Sequence, residues 1–588
     1  MKQFFKMMFA SALGVFVATG LILTVLIFVV IGIAGSMSNS SEYKPKSDTV
    51  FKLSLSGTLS DNVQENPFSM LMGDEEKKLS LKDILFAINQ AKANSNVKGI
   101  YIQSGALQAG SSSLSAIRCA LADFKKSGKF VVAYSDGYTQ GGYYLCSMAD
   151  KVFLNPMGMV GLAGMASQTL FLKGLLSKLG VEMMIFKVGT YKGAVEPFML
   201  DKLSDANREQ IQSYMNSIWG NVIAGIAEGR KMSTDDVNRF VNEGFAFSGA
   251  EKALEQHFVD ELKYEPEVEE YVKELAGQKD SKLKTASLDQ LKNIKEKAGS
   301  SKNEIAILYA EGEITSDEFS TPYETGQLIT EEIARELIKL KNNDAVKAVV
   351  LRVNSPGGSA YVSEQIWRQV VEVKKVKPIV VSMGDVAASG GYYISCAASK
   401  IVAEPNTLTG SIGVFGMFPN ATNLFGKLSL TTDVVKTNTY ADLGDISRPM
   451  REDEKMLIQA NVERTYGTFL TRCADGRKMS KDAVNEIAQG RVWTGDQAKE
   501  RGLVDELGGI EKAITIAAGL AEVKDYCVTN VPGSKDFFQK FMEKELDNIR
   551  MSVVKSVLGT DYTYFQTLNR IWSTAGVQAR LPYDINPL

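Results

Sequence analysis

The chain has 588 residues, 45% apolar and 23% charged, with a net charge of −3 and no long single-sign block. That balance excludes a disordered chain and a protein that binds nucleic acid through a basic patch, and the length exceeds what one hydrophobic core holds. Five cysteines, Cys119, Cys146, Cys396, Cys473 and Cys527, have no Cys-x-x-Cys spacing and leave one unpaired. They read as small buried hydrophobes, not as a disulfide framework or a zinc site. A lone histidine, His257, excludes multi-histidine metal sites and leaves a Ser/His/Asp arrangement one candidate, at a surface helix end.

In chain order, residues 1–8 form a short cytoplasmic N-terminus carrying Lys2 and Lys6, and residues 9–34 are expected to be a transmembrane signal anchor. The uncharged run from Met7 to Ala34 is 28 residues, against about 20 needed to span the hydrocarbon and fewer in a cleavable signal core. The alternative is cleavage after the small residues near Ala34. With the lysines held inside, everything after Ser36 lies across the membrane. Residues 35–48 read as a polar tether, 49–262 as a first folded unit, 263–303 as a Lys/Glu-rich helical linker, 304–510 as a second unit and 511–588 as an amphipathic helical extension.

The two units are copies. At a constant offset of 249 residues, Gly141-Gly142-Tyr143-Tyr144 falls on Gly390-Gly391-Tyr392-Tyr393, Pro156 on Pro405 and Thr190-Tyr191 on Thr439-Tyr440. Gly229-Arg230-Lys231-Met232-Ser233 matches Gly476-Arg477-Lys478-Met479-Ser480 at offset 247, and Val259-Asp260-Glu261-Leu262 matches Val504-Asp505-Glu506-Leu507 at 245. Within each copy, short apolar runs alternate with amphipathic stretches, the pattern of an α/β fold with a mostly parallel sheet covered by helices.

The copies differ where chemistry is expected. In the second, Asn354-Ser355-Pro356-Gly357-Gly358-Ser359 follows an apolar strand, and its glycines let backbone N–H groups approach a ligand. Further on, Ser389 stands among small residues at a strand-to-helix junction, beside the Gly390 N–H. Taken alone, this serine is as well read as a helix N-cap. Its first-copy equivalent is Gln140, however, and Gly357-Gly358 faces Gln108-Ala109. Conversely, Lys192 in the first copy corresponds to Ala441 in the second. One copy keeps a nucleophile and the other a base, a reciprocity that two idle positions do not explain. Lysine can act as a base only when burial removes its charge. Ser411, whose counterpart is Leu162, is placed either to orient that amine or to satisfy a turn.

On these residues the sequence resembles the long, duplicated form of signal peptide peptidase A. This is a Ser/Lys peptidase family of bacterial envelopes related in fold to the Clp protease proteolytic subunit and the crotonases. The resemblance spans anchor, lysine-bearing copy, linker and serine-bearing copy. It implies Ser389 as nucleophile, Lys192 as general base, Ser411 as the hydroxyl supporting the lysine, and Gly357, Gly358 and Gly390 as oxyanion-hole donors. It also implies an endopeptidase with no metal or organic cofactor, forming a homotetramer on the outer face of the cytoplasmic membrane and digesting released signal peptides through an acyl-enzyme. Two other readings fit part of the pattern. An acyl-CoA enzyme would use the glycine turn but leaves the Lys/Ser reciprocity unexplained, and an envelope scaffold fits Gln140 and Ala441 but not the retained Ser389 and Lys192.

Overall fold

The structure, a computed structural model, describes residues 43–63, 78–279, 282–294, 301–317, 328–531 and 576–580, together with Gly14 and Leu21. The expected anchor at 9–34 lies outside the described residues except for those two positions. Among the described residues no helix is long and apolar enough to cross a membrane.

Each copy builds a mostly parallel sheet. In the first, Thr49–Ser60, Val97–Gln108, Phe130–Ser135 and Lys151–Leu154 lie side by side, with Thr285–Ala286 and Glu261–Leu262 at the edges. In the second, Glu304–Glu311, Val346–Ser355, Ile379–Ala388 and Leu408–Gly410 form the centre, with Cys527–Val531 and Val492–Thr494 at the edges. Helices cover both faces, so central strands bury every side chain in runs such as Val349, Val350 and Leu351.

Both copies run past the limits expected from sequence. The stretch 263–303, read as a solvated linker, contains helix Glu265–Leu275 and then a strand in which Ala286 pairs with Phe51. The stretch after 510, read as helical, begins with helix Ile510–Leu520 but continues into strand Cys527–Val531, parallel to Glu304–Glu311. Its last described element is again a strand, Gly576–Arg580. The cause is the same in each copy: an apolar helix face, Val268 and Val272 or Ala513 and Ala517, covers the sheet. The strand after it then pairs with backbone groups that the sheet would otherwise leave open at its edge.

The motifs shared by the copies are structural. Both Gly-Arg-Lys-Met-Ser runs end 26-residue helices, Asp205–Arg230 and Glu452–Arg477. The glycine lies where an added Cβ would meet Ser147 O at 2.5 Å in one copy and Cys396 O in the other. The arginine then reaches the aspartate of the Val-Asp-Glu-Leu motif, with Arg230 and Asp260 3.0 Å apart and Arg477 and Asp505 the same. Tyr143 and Tyr392 donate to the carbonyls of Phe258 and Leu503.

A further sheet joins the copies. Strand Glu182–Val188 of the first pairs antiparallel with Val414–Asn420 of the second over seven residues, from Val188↔Val414 to Glu182↔Asn420. The same sheet contains Gly357–Ser359 and Gly576–Arg580. A buried ion pair adds a second tie: Arg352 donates to both oxygens of Asp61 at 2.8 and 3.1 Å, and to Ser382 Oγ and Met383 O. Asp385 of the second copy accepts the N–H groups of Ser112 and Ser113, at 2.8 and 2.9 Å, at the start of a first-copy helix.

Burial, with the Asp61 carboxylate beside it, pushes Glu311 from 4.5 up to about 8. Glu311 holds its proton more tightly folded than unfolded, so its contribution to stability is full below its unfolded value and is lost as pH rises through about 8. Glu311→Gln is therefore expected to flatten the fall in Tm across that interval in thermal melts, and an unchanged slope contradicts this account of the interface.

Candidate active site

The inter-copy pairing carries Lys192 into the second copy. After Val188 the chain turns at Gly189, whose φ of 109° is left-handed and whose added Cβ would lie 2.5 Å from Gln489 C and O. Lys192 follows, fully buried. Its Nζ lies 2.8 Å from Ser389 Oγ, 3.1 Å from Ser411 Oγ and 3.2 Å from Ser411 O. Burial alone lowers the amine well below the usual lysine value. An uncharged amine at that distance can accept the serine proton.

Ser389 joins strand Ile379–Ala388 to the short helix Gly390–Ser395. Its φ of 54° and ψ of −113° are strained for a residue with a Cβ. Backbone bonds impose that conformation: its N–H donates to Gly410 O and its carbonyl accepts from Tyr393, each at 2.8 Å. A Cβ on Gly391 would stand 2.8 Å from Ser355 O, so the helix packs on the glycine turn. Ser411 is also left-handed, at φ 48°.

The three glycines are not equivalent. Gly357 and Gly358 have φ of 100° and 152°, and a Cβ on Gly358 would collide with Ile314 O. The Gly357 N–H already donates to Ser355 Oγ at 3.1 Å. Gly390 opens its helix, where the N–H has no intrahelical acceptor.

The first copy uses the same scaffold without the chemistry. Gln140 accepts the N–H groups of Ala163 and Gly164 at 3.1 and 2.9 Å and donates to Gly164 O, tying down the turn that corresponds to Ser411. Leu162 is buried and Ala441 exposed. His257 is exposed, and its backbone carbonyl accepts from Arg230. Of the cysteines, Cys146, Cys396 and Cys473 are buried, but Cys119 is exposed and Cys527 half-buried, because they fall at a helix surface and a sheet edge. Sequence reasoning passed over Gln210 and Gly490, which contact the Lys192 loop. A glutamine in a polar helix and a glycine in a turn carry no sequence signal for such a place.

The family model for Peptidase family S49 matches residues 123–279 and 371–524, one stretch in each copy and together more than half the chain. The chain belongs to peptidase family S49. A model for Clp protease matches residues 313–409. Protease 4 of Haemophilus influenzae is 36% identical over 81% of this chain and 79% of its own length. Protease 4 of Salmonella typhi is 34% identical over 90% and 88%, and a chloroplastic serine protease SPPA of Arabidopsis thaliana is 32% identical over 91% and 77%. This S49 member is a serine protease.

Burying an amine that is charged when unfolded costs stability at neutral pH. Lys192→Met is accordingly expected to raise Tm at pH 7, with the gain shrinking as pH approaches 10.5, where the unfolded lysine also loses its charge. A Tm that falls at every pH contradicts a neutral buried amine.

Proposed function

We propose that this serine protease is a membrane-anchored endopeptidase that cleaves peptides with a Ser389/Lys192 dyad formed within one chain. Ser389 Oγ attacks the peptide carbonyl, Lys192 takes its proton and passes it to the leaving amine, and the resulting acyl-enzyme is hydrolysed by water that the same amine activates. The Ser411 hydroxyl orients the amine. The N–H groups of Gly358 and Gly390 stabilise the oxyanion, with Gly357 held in the turn by Ser355. The observation that carries this reading is the 2.8 Å separation between a buried amine and the hydroxyl of a serine whose backbone is strained.

The substrate class follows from backbone geometry and from the resemblance. Strand Gly576–Arg580 runs antiparallel between Gly357–Ser359 and Phe415–Met417, so the edges beside the glycine turn have the backbone complement of an extended peptide. A substrate strand would displace this one and pair with the same edges. Apolar, extended signal peptides released at a membrane suit that pairing. We place the anchor at 9–34, the catalytic part on the extracytoplasmic side of the cytoplasmic membrane, and the assembly as a homotetramer contacting lipid through the anchor.

Hydrolysis of a fluorogenic peptide by the full-length protein tests the dyad. Ser389→Ala and Lys192→Ala are each expected to lower kcat/KM by about three orders of magnitude or more, while His257→Ala leaves it near wild type. Activity rises with pH through a midpoint below 10.5, set by the buried lysine. Mixing the two inactive variants restores nothing. Retained turnover in Lys192→Ala overturns the dyad, and recovered turnover on mixing overturns its formation within one chain.

A further inference from the structure

We infer that residues 489–492 of the second copy, cross-linked by Gln210 of the first, form a positioning element that fixes the Lys192 amine by holding its loop and the Ser411 turn against one backbone segment. The inference rests on the dyad proposed above. The segment links helix Lys481–Ile487 to strand Val492–Thr494. Two consecutive residues there are left-handed, Gln489 at φ 54° and Gly490 at φ 78°. A non-glycine residue holds that conformation only where its surroundings impose it.

The surroundings are the two halves of the site. On the lysine side, Gln489 O accepts the Tyr191 N–H at 2.8 Å. Gly490 lies so close that an added Cβ would stand 2.7 Å from Lys192 Cβ and N. On the serine side, the Gly490 N–H donates to Ile412 O at 2.9 Å, and Arg491 O accepts the Ser411 N–H at 2.7 Å. Three adjacent residues therefore hold both partners of the Lys192 Nζ–Ser411 contact. Gly413 completes the fit, since a Cβ there would meet Gly490 Cα at 2.9 Å and Lys192 Cδ at 3.2 Å.

Gln210 ties this segment to the first copy. Its buried amide donates from Nε2 to Tyr191 O at 2.8 Å and to Asn207 Oδ1 at 2.7 Å, while Oε1 accepts the Val492 N–H at 3.1 Å. Both ends of the amide are used, so its orientation is fixed. Arg491 closes the outer side: it donates to Tyr191 OH at 3.0 Å and Glu209 Oε1 at 2.8 Å, with its guanidinium between the rings of Tyr191 and Trp493. Within the loop itself the Lys192 N–H donates to Gly189 O at 3.3 Å and the Gly193 N–H to Tyr191 O at 2.8 Å, bonds that turn the loop but do not tie it to the Ser411 side. If it shifts outward, the amine leaves Ser389 and meets water, and both its reach and its low pKa are lost together.

That coupling separates positioning from simple support of the fold. The test measures kcat, KM and the pH midpoint of peptide hydrolysis for full-length Gly490→Ala and Gln210→Leu, normalised to the folded fraction read from the amplitude of the thermal melt. Both variants are expected to lose about 10- to 100-fold in kcat at neutral pH, with KM changed far less and the midpoint moved up toward 10.5. Activity that falls only with the folded fraction, at an unchanged midpoint, overturns the inference, as does full activity. Should Gly490→Ala fail to fold, Gln210→Leu decides. If Lys192→Ala itself stays active, the dyad reading has failed, not the positioning element alone.

Discussion

The structure depends on one buried contact: the amine of Lys192 beside the hydroxyls of Ser389 and Ser411, all three fully buried. A lysine is normally charged and solvated, and burial without a carboxylate partner makes the charged form the expensive one. The fold must therefore seal the pocket from two sides. The first copy supplies the amine on the loop after Glu182–Val188, and the second supplies Val414–Asn420 as the strand that receives it. Seven paired residues, the Asp61–Arg352 ion pair and the Asp385 cap set the two copies in one register.

That requirement explains how a duplicated fold divides its labour. The turns at Ser389, Ser411 and Gly357-Gly358 and the loop of Lys192 are differently used in the two copies, while Gly-Arg-Lys-Met-Ser, Val-Asp-Glu-Leu and Gly-Gly-Tyr-Tyr perform the same packing duty twice. Where the second copy has a strained serine, the first has Gln140, which spends its amide on the neighbouring turn. Where the first copy has a buried lysine, the second has Ala441 in an exposed loop. Strain at Ser389 and an uncharged Lys192 both oppose stability, and each occurs once.

Much of this was legible in the sequence because duplication provides an internal reference. Matching positions marked the scaffold, and mismatched ones singled out Ser389, Lys192, Ser411 and Gly357-Gly358. The limits of each copy were harder to read. Glu265–Leu275 is rich in acidic residues and looks like a linker, yet Val268 and Val272 are enough to pin it to the sheet. The two-residue strand Thr285–Ala286 is too short to show a pattern, and Cys527–Val531 follows a helix that suggested more helix. Gln210 and Gly490 were invisible because their importance lies in backbone groups of residues far away in sequence.

The measurement closest to the central claim is a direct titration of Lys192 in the intact protein, with its 13Cε resonance assigned by comparison with Lys192→Met. The account predicts a midpoint well below 10.5, rising when the pocket is opened to solvent. A midpoint at or above 10.5 would mean that the amine stays charged beside Ser389, and would contradict it.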